Sequence, residues 1–333
     1  MKQIMSTFLR ISLLFSLMWG TGQIVFAQLP SQGSWGTYGK ATYLDTNQDI
    51  TLSGDIEMVG VIVVNPGVTL KITSDTPRNI TNTGIVELGK GATLGRSIMF
   101  NIKPSGKLII EGTEEAPITI DGGAAFTWDN YQLTTSSSKT LREAIYCEGI
   151  LELTHVNLKD VHTKHANNEE TPGSGISILK GSNVTLKNTT ISHCKAYSAE
   201  SGGAMNITNA EVSLVKCIIE KCLSGSSGGG ISIKGNSSTV NIANTEISQC
   251  KTSSNGGGMY ISSAEQVLLN GCTIENCRSN SIGGGISIGS TQRETRLTNC
   301  QIKSCNAGSN GGGLNIANNI SHTIFRNIFV SNI

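Results

Sequence analysis

Nine cysteines, at positions 147, 194, 217, 222, 250, 272, 277, 300 and 305, are the first set of residues able to do chemistry in this 333-residue sequence. Pairs five apart (Cys217/Cys222, Cys272/Cys277, Cys300/Cys305) invite a metal site. Their spacing is C-x4-C, not the C-x2-C knuckle of structural zinc sites. An isoleucine lies between the members of each pair, and each cysteine stands where other copies of a repeat carry Thr, Val or Ile. They therefore read as small apolar fillers, and no metal or other cofactor is expected. The expected state is a set of buried free thiols. Disulfides are the alternative: stacking at about 4.8 Å brings Cα atoms within bridging range, but parallel Cβ vectors hold the Cβ atoms wider than the preferred separation of about 3.8 Å.

Glycine runs are the second candidate. A phosphate-binding loop needs glycines followed by Lys-Ser/Thr at the start of a helix. In "SGGGISI" (from Ser227) and its relatives an alternating, strand-like run follows instead. The glycines read as tight corners.

Two interruptions of the repeat are the third candidate. They are "FTWDNYQLTTSSSKTLRE" at 126–143 and "HTKHANNEETPGSG" at 162–175. They precede strands at equivalent places one coil apart, so they are expected side by side on one edge. Together they offer Trp128, Asp129, Tyr131, His162, His165, Glu169 and Glu170 as candidate ligand-binding residues. Trp and Tyr suit stacking on sugar rings, and the His and acidic groups could hold a cation or a proton. The competing reading is a pair of polar loops that shield the flank. His193 and His322 fall on turn and loop positions and suggest nothing further.

The element that must position these residues is a repeat. The glycine signature recurs as "SGGAMNI" (Ser201), "SGGGISI" (Ser227), "NGGGMYI" (Asn255), "IGGGISI" (Ile282) and "NGGGLNI" (Asn310), with a weaker "GSGISI" at Gly173. The first aliphatic after the glycines is Ile176, Met205, Ile231, Met259, Ile286 and Leu314, at spacings of 29, 26, 28, 27 and 28. Within each copy the period is two, which is strand and not helix. Alternation places seven side chains per coil inward; in one copy these are Ile231, Ile233, Val240, Ile242, Thr245, Ile247 and Cys250. The sixth column reads Ile191, Ile219, Ile247, Ile274, Ile302 and Val330, and the seventh Cys194, Cys222, Cys250, Cys277, Cys305 and Ile333. Asn188, Asn244, Asn299 and Asn327, with Gly271 in one copy, occupy a corner that needs left-handed backbone. Three short strands per coil in register predict an all-β, right-handed, single-stranded parallel β-helix.

"GGGISI", "GGGMYI" and "GGAMNI" resemble the GGA-aliphatic motif of polymorphic outer-membrane-protein repeats, over about 173–333. The companion Phe-x-x-Asn motif of that family is mostly replaced by Ile-x-x-Cys; "FVSN" at 329–332 fits it one residue out of register. That resemblance implies surface exposure and adhesion. The architecture also resembles the pectate-lyase-like β-helix superfamily, which implies polysaccharide chemistry. Such a lyase needs a positioned Lys or Arg base with calcium-binding carboxylates. The outward positions between the first two inward columns, Ser177, Asn206, Ser232, Tyr260, Ser287 and Asn315, carry no acid or base.

Residues 1–27 read as a signal peptide: Lys2 and Arg10 form the basic region, Ile11 to Trp19 the apolar core, and "VFA" the cleavage site near Ala27. Residues 28–143 read as an N-terminal cap with irregular coils, and 144–333 as regular repeats. Gln28 to Asp49 is expected to cover the first coil, with Trp35 and Tyr38 in the cap. Ile333 falls in mid-coil on an inward column, which predicts a chain cut short there; dimerisation through that end or a frayed coil are the alternatives. Of 25 Lys and Arg, 23 remain after Lys2 and Arg10, against 24 acidic residues. That balance excludes an electrostatic case for nucleic acid or an anionic membrane, and no transmembrane segment is expected in the mature chain. The expected function is an exported, secreted or cell-surface β-helix acting as adhesin or passenger-like scaffold. Its partners would be extracellular glycans or proteins, including host surfaces. The alternative is a polysaccharide lyase, glycoside hydrolase or glycan-binding protein using the 126–175 loops.

Overall fold

Alternation with period two and register between copies together force stacked coils. The computed structural model describes residues 28–333 except 39, 84–97, 125, 130, 136–142, 163–173, 198–200, 318–321 and 332–333. Among the described residues every element is a strand. Three long parallel sheets run the length of the molecule. The first has ten strands, from Ala41–Leu44 to Leu314–Ile316; the second has ten, from Gln48–Thr51 to Thr323–Arg326; the third has eleven, from Gly33–Trp35 to Phe329–Ser331. Each strand pairs with its equivalent one coil away, as in Ile231↔Met259, Val240↔Val267 and Ile247↔Ile274. The fold is the right-handed parallel β-helix.

The inward columns are buried as the alternation requires. Ile231, Ile233, Val240, Ile247 and Cys250 are fully enclosed, and Ile242 and Thr245 nearly so. A strand's side-chain period makes a one-residue slip reverse every side chain, so this burial pins the register. Val330 is the exception in the sixth column. It is 49% exposed, because no described rung stacks above it.

The structure differs from the sequence reading in three places. First, the regular coils carry a fourth strand of two residues: Lys195–Ala196, Leu223–Ser224, Lys251–Thr252, Arg278–Ser279 and Asn306–Ala307. Its inward member is small, and Ser279 Oγ donates to the carbonyls of Ser254 (2.8 Å) and Ile282 (3.0 Å). Ser224 Oγ likewise donates to Ser227 O at 3.2 Å. These bonds hold the loop that leads into the glycine corner. Second, Gln28 to Asp49 is not a separate cover. It supplies the terminal rung itself, through Gly33–Trp35, Ala41–Leu44 and Gln48–Thr51. Trp35 is buried there and donates from Nε1 to Pro30 O at 2.8 Å, whereas Tyr38 is 66% exposed and packs no cap. Third, the outward positions Ser177, Asn206, Ser232 and Ser287 are buried, not solvent-facing. The glycine corner folds back over them: a Cβ on Gly283 would lie 2.7 Å from that of Ser287.

One corner shows why glycine is needed. A Cβ on Gly229 would come within 2.2 Å of Gly257 O in the next coil and 2.6 Å of the Lys251 backbone. Only glycine lets fourth strand and neighbouring corner approach so closely.

Candidate functional site

The nine cysteines are packing, with a polar role the sequence reading omitted. All nine are buried and unbridged. Asn188, Lys216, Asn244, Gly271 and Asn299 have positive φ at one corner of the coil. His193, Lys221, Gln249, Asn276 and Ser304 have it at a second corner. The residue after each is a Thr or Cys that donates its side-chain hydrogen to the carbonyl before the corner. Thr245 Oγ1 reaches Ala243 O at 3.0 Å, Cys250 Sγ reaches Ser248 O at 3.3 Å, and Cys300 Sγ reaches Thr298 O at 3.2 Å. Burial pushes the Cys147 thiol up to about 11, and those of Cys222, Cys250 and Cys277 well above the ordinary range. Such thiols are protonated and poor nucleophiles. Among the described residues no group of three or more His, Cys, Asp or Glu is placed to hold a metal ion.

The first interruption of the repeat builds a protruding hairpin. Phe126–Asp129 and Gln132–Thr135 pair antiparallel, in register Thr127↔Thr134, Trp128↔Leu133 and Asp129↔Gln132. Alternation sorts its two faces. Thr127, Asp129, Gln132 and Thr134 are exposed, while Leu133 is buried and Trp128 half-buried. At the tip Tyr131 takes φ 60°, and its ring meets that of Trp128 edge to face, with centroids 6.0 Å apart and planes at 72°. A Lys195 Nζ hydrogen bond to Leu133 O (2.9 Å) ties the hairpin to the solenoid. Burial lowers the Lys195 pKa, which fits an amine held against the flank.

The roots of the two interruptions are adjacent. Asp121 is in register with Lys159, and Ala124 N donates to Asp160 O at 3.1 Å. Lys159 Nζ bridges Asp121 (2.9 Å) and Asp160 (2.8 Å). Burial works against its charge, but the bonds and attraction of Asp160 and Asp121 outweigh it and raise its pKa. His193 stands near this group; burial lowers its pKa, against the attraction of Asp160 and Glu220. Of the second interruption's candidates, His162 is buried and bridges in register to Lys195, so it lies beneath the hairpin's anchor and not on the surface. His165, Glu169 and Glu170 lie outside the described residues. The structure therefore brings together Trp128 and Tyr131, places Asp129 on the opposite, exposed face of the hairpin, and buries His162 beside Lys195.

Two further polar residues escaped the sequence reading. Glu143 is fully buried and accepts a hydrogen bond from Ser177 Oγ at 3.3 Å. It stands in register with Ser174, one rung before Gly203, whose missing Cβ makes room for the Leu223 backbone. In its own coil no fourth strand is described, and a side chain fits. Two open depressions share Gln28, Asp49 and Ile50 beside the terminal rung, away from the hairpin.

The stacked sheets and their inward ladders define a right-handed parallel β-helix protein carrying one aromatic hairpin on its flank. Residues 174–333 match the family model described as "Right handed beta helix region". A comparison with curated proteins finds no match. A solved structure titled "Geobacillus virus E2 - ORF18" aligns over 83% of this chain and 55% of its own, at 11% identity and a TM-score of 0.37. The chain thus spans about half the length of that structure, and the likeness is too low to carry an argument. No helix of the described residues is long and apolar enough to cross a membrane.

Proposed function

We propose that this chain is an exported, surface-associated β-helix that binds carbohydrate as an adhesin or passenger-like scaffold. The hairpin carries this reading. A half-buried tryptophan and a tyrosine sit at the tip of an element that the solenoid holds by Lys195 Nζ on Leu133 O. Aromatic side chains offer a large apolar face at small entropic loss, and function concentrates on loops held by rigid scaffolds. The leader at 1–27, the near-neutral charge and the GGA-aliphatic repeats support export and display. The thiols of Cys222, Cys250 and Cys277, held protonated by burial, and the lack of acid or base at the outward positions Ser177, Asn206, Ser232, Tyr260, Ser287 and Asn315 support binding over chemistry.

The test is retention on immobilised glycans. Trp128→Ala and Tyr131→Ala should each reduce retention by about tenfold or more, with an unchanged unfolding midpoint; unchanged retention overturns the reading. Incubation with pectin, alginate and glycosaminoglycans should release no unsaturated or shortened product. Product formation would transfer the assignment to the alternative, a carbohydrate-active enzyme.

A further inference from the structure

The ring geometry narrows what the hairpin can hold. Resting on the glycan-binding reading, we propose that the Trp128–Tyr131 corner takes a single neutral pyranose, at a chain end or branch, and not the flat face of an extended polysaccharide. Two aromatic rings serve as a platform for a flat polymer only when their faces are parallel. Here the planes lie at 72° with centroids 6.0 Å apart. A flat ligand parallel to one ring meets the other edge-on. One sugar ring can lie on one face with its rim against the second, and a chain continuing in the same plane collides with that second ring. Trp128 and Leu133 share the hairpin face that is turned to the flank, and Leu133 is buried. The corner is therefore walled on a third side, which again suits an end and not a passing chain.

Charge selects the class of sugar. Asp129 is the one charged side chain among the described hairpin residues; it lies on the exposed face opposite Trp128, so it acts on a ligand in the corner through its charge and not by contact. It repels a polyuronate or sulfated chain. The nearest cation of the anchor, Lys195, directs its Nζ at Leu133 O.

The experiment uses the full chain and four probes: methyl glycosides of neutral hexoses and N-acetylhexosamines, polygalacturonate, microcrystalline cellulose and chitin. Binding is read by isothermal titration calorimetry for the soluble probes and by depletion for the solids. The expected result is saturable binding of at least one neutral glycoside, lost at least tenfold in Trp128→Ala, with no depletion by cellulose or chitin. Asp129→Asn should raise polygalacturonate binding. Trp128-dependent binding of polygalacturonate or of the solids overturns this inference and leaves the glycan reading standing. Glycoside binding that survives Trp128→Ala, or no binding of any probe, overturns both.

Discussion

Cys272 and Thr245 occupy successive rungs of one inward column, and each follows a residue with positive φ, Gly271 or Asn244. Thr245 donates to Ala243 O at 3.0 Å and Cys272 to Asn270 O at 3.6 Å. That shared role explains why the two residue types exchange: both are small, and both can fill the second lone pair of a carbonyl at a left-handed corner. The same burial gives the molecule an alkaline limit. An unfolded thiol ionises near pH 8.5, whereas Cys147 is held up to about 11 and Cys222, Cys250 and Cys277 well above the ordinary range. The folded pKa lies above the unfolded one, so the stabilisation is complete below the unfolded pKa and is lost as pH rises above it. In that window the unfolded state has released protons the native state keeps, and each thiol costs about 1.4 kcal/mol per pH unit. The urea midpoint is therefore expected to fall steeply between about pH 8.5 and 10.5, over which Cys147 alone accounts for about 2–3 kcal/mol. Cys147→Ala should start less stable at neutral pH and show a visibly shallower decline. An equal decline would remove the thiols as its cause.

The hairpin is the element whose behaviour separates scaffold from site. Its second strand is fastened by one bond from a lysine 62 residues later, Lys195 Nζ to Leu133 O. Lys195→Met keeps the apolar stem and removes the donor, and hydrogen bonds from charged groups contribute about 1.5–3 kcal/mol. Acrylamide quenching of Trp128 is expected to rise in this variant, while the solenoid's unfolding midpoint moves little. Trp35, buried in the terminal rung, supplies the unquenched baseline. Unchanged quenching would mean that Leu133 packing alone holds the hairpin. How far such elements were legible follows from their physics. The inward columns were readable because stacking sets like residue on like, so Ile191, Ile219, Ile247, Ile274 and Ile302 recur at a coil's spacing. The fourth strand was not. It has one inward position, filled by Ala196, Ser224, Thr252, Ser279 or Ala307, which reads as loop composition. The second positive-φ corner was hidden for a related reason: His193, Lys221, Gln249, Asn276 and Ser304 share a backbone conformation and no side-chain chemistry. Of the candidate site, Trp128, Asp129 and Tyr131 stood out as an interruption of the repeat. Lys195 did not, because a contact across 62 residues leaves no local pattern.

At the scale of the whole molecule, every long-range pairing in the sheets joins one coil to the next, as Met205↔Ile231↔Met259↔Ile286↔Leu314 shows. Stability in such a stack is a sum of coil terms and nearest-neighbour interface terms. A coil removed in register takes out one of each and leaves every remaining contact of the same kind. Deleting 231–258 joins Gly230 to Met259, so that "SGGG" runs directly into "MYI" and the glycine corner is rebuilt. Ile233 is lost, and Ile207 then stacks on Ile261, its equivalent in column and burial. The cysteine column closes likewise, Cys222 upon Cys277, both enclosed. The expected product is soluble, with an unchanged strand signature per residue in circular dichroism. Its urea m-value should be smaller in proportion to the surface removed. A deletion of half that length, 231–244, removes the first- and second-sheet strands of one coil, Ile231–Lys234 and Thr239–Ala243, and sets Thr245 directly after Gly230. Side chains that face inward would then be presented at the wrong place on the coil, and this variant is expected to aggregate. If both deletions unfolded alike, coupling along the stack would have to extend beyond adjacent rungs. If both folded alike, the register of the inward columns would not be what specifies the coil.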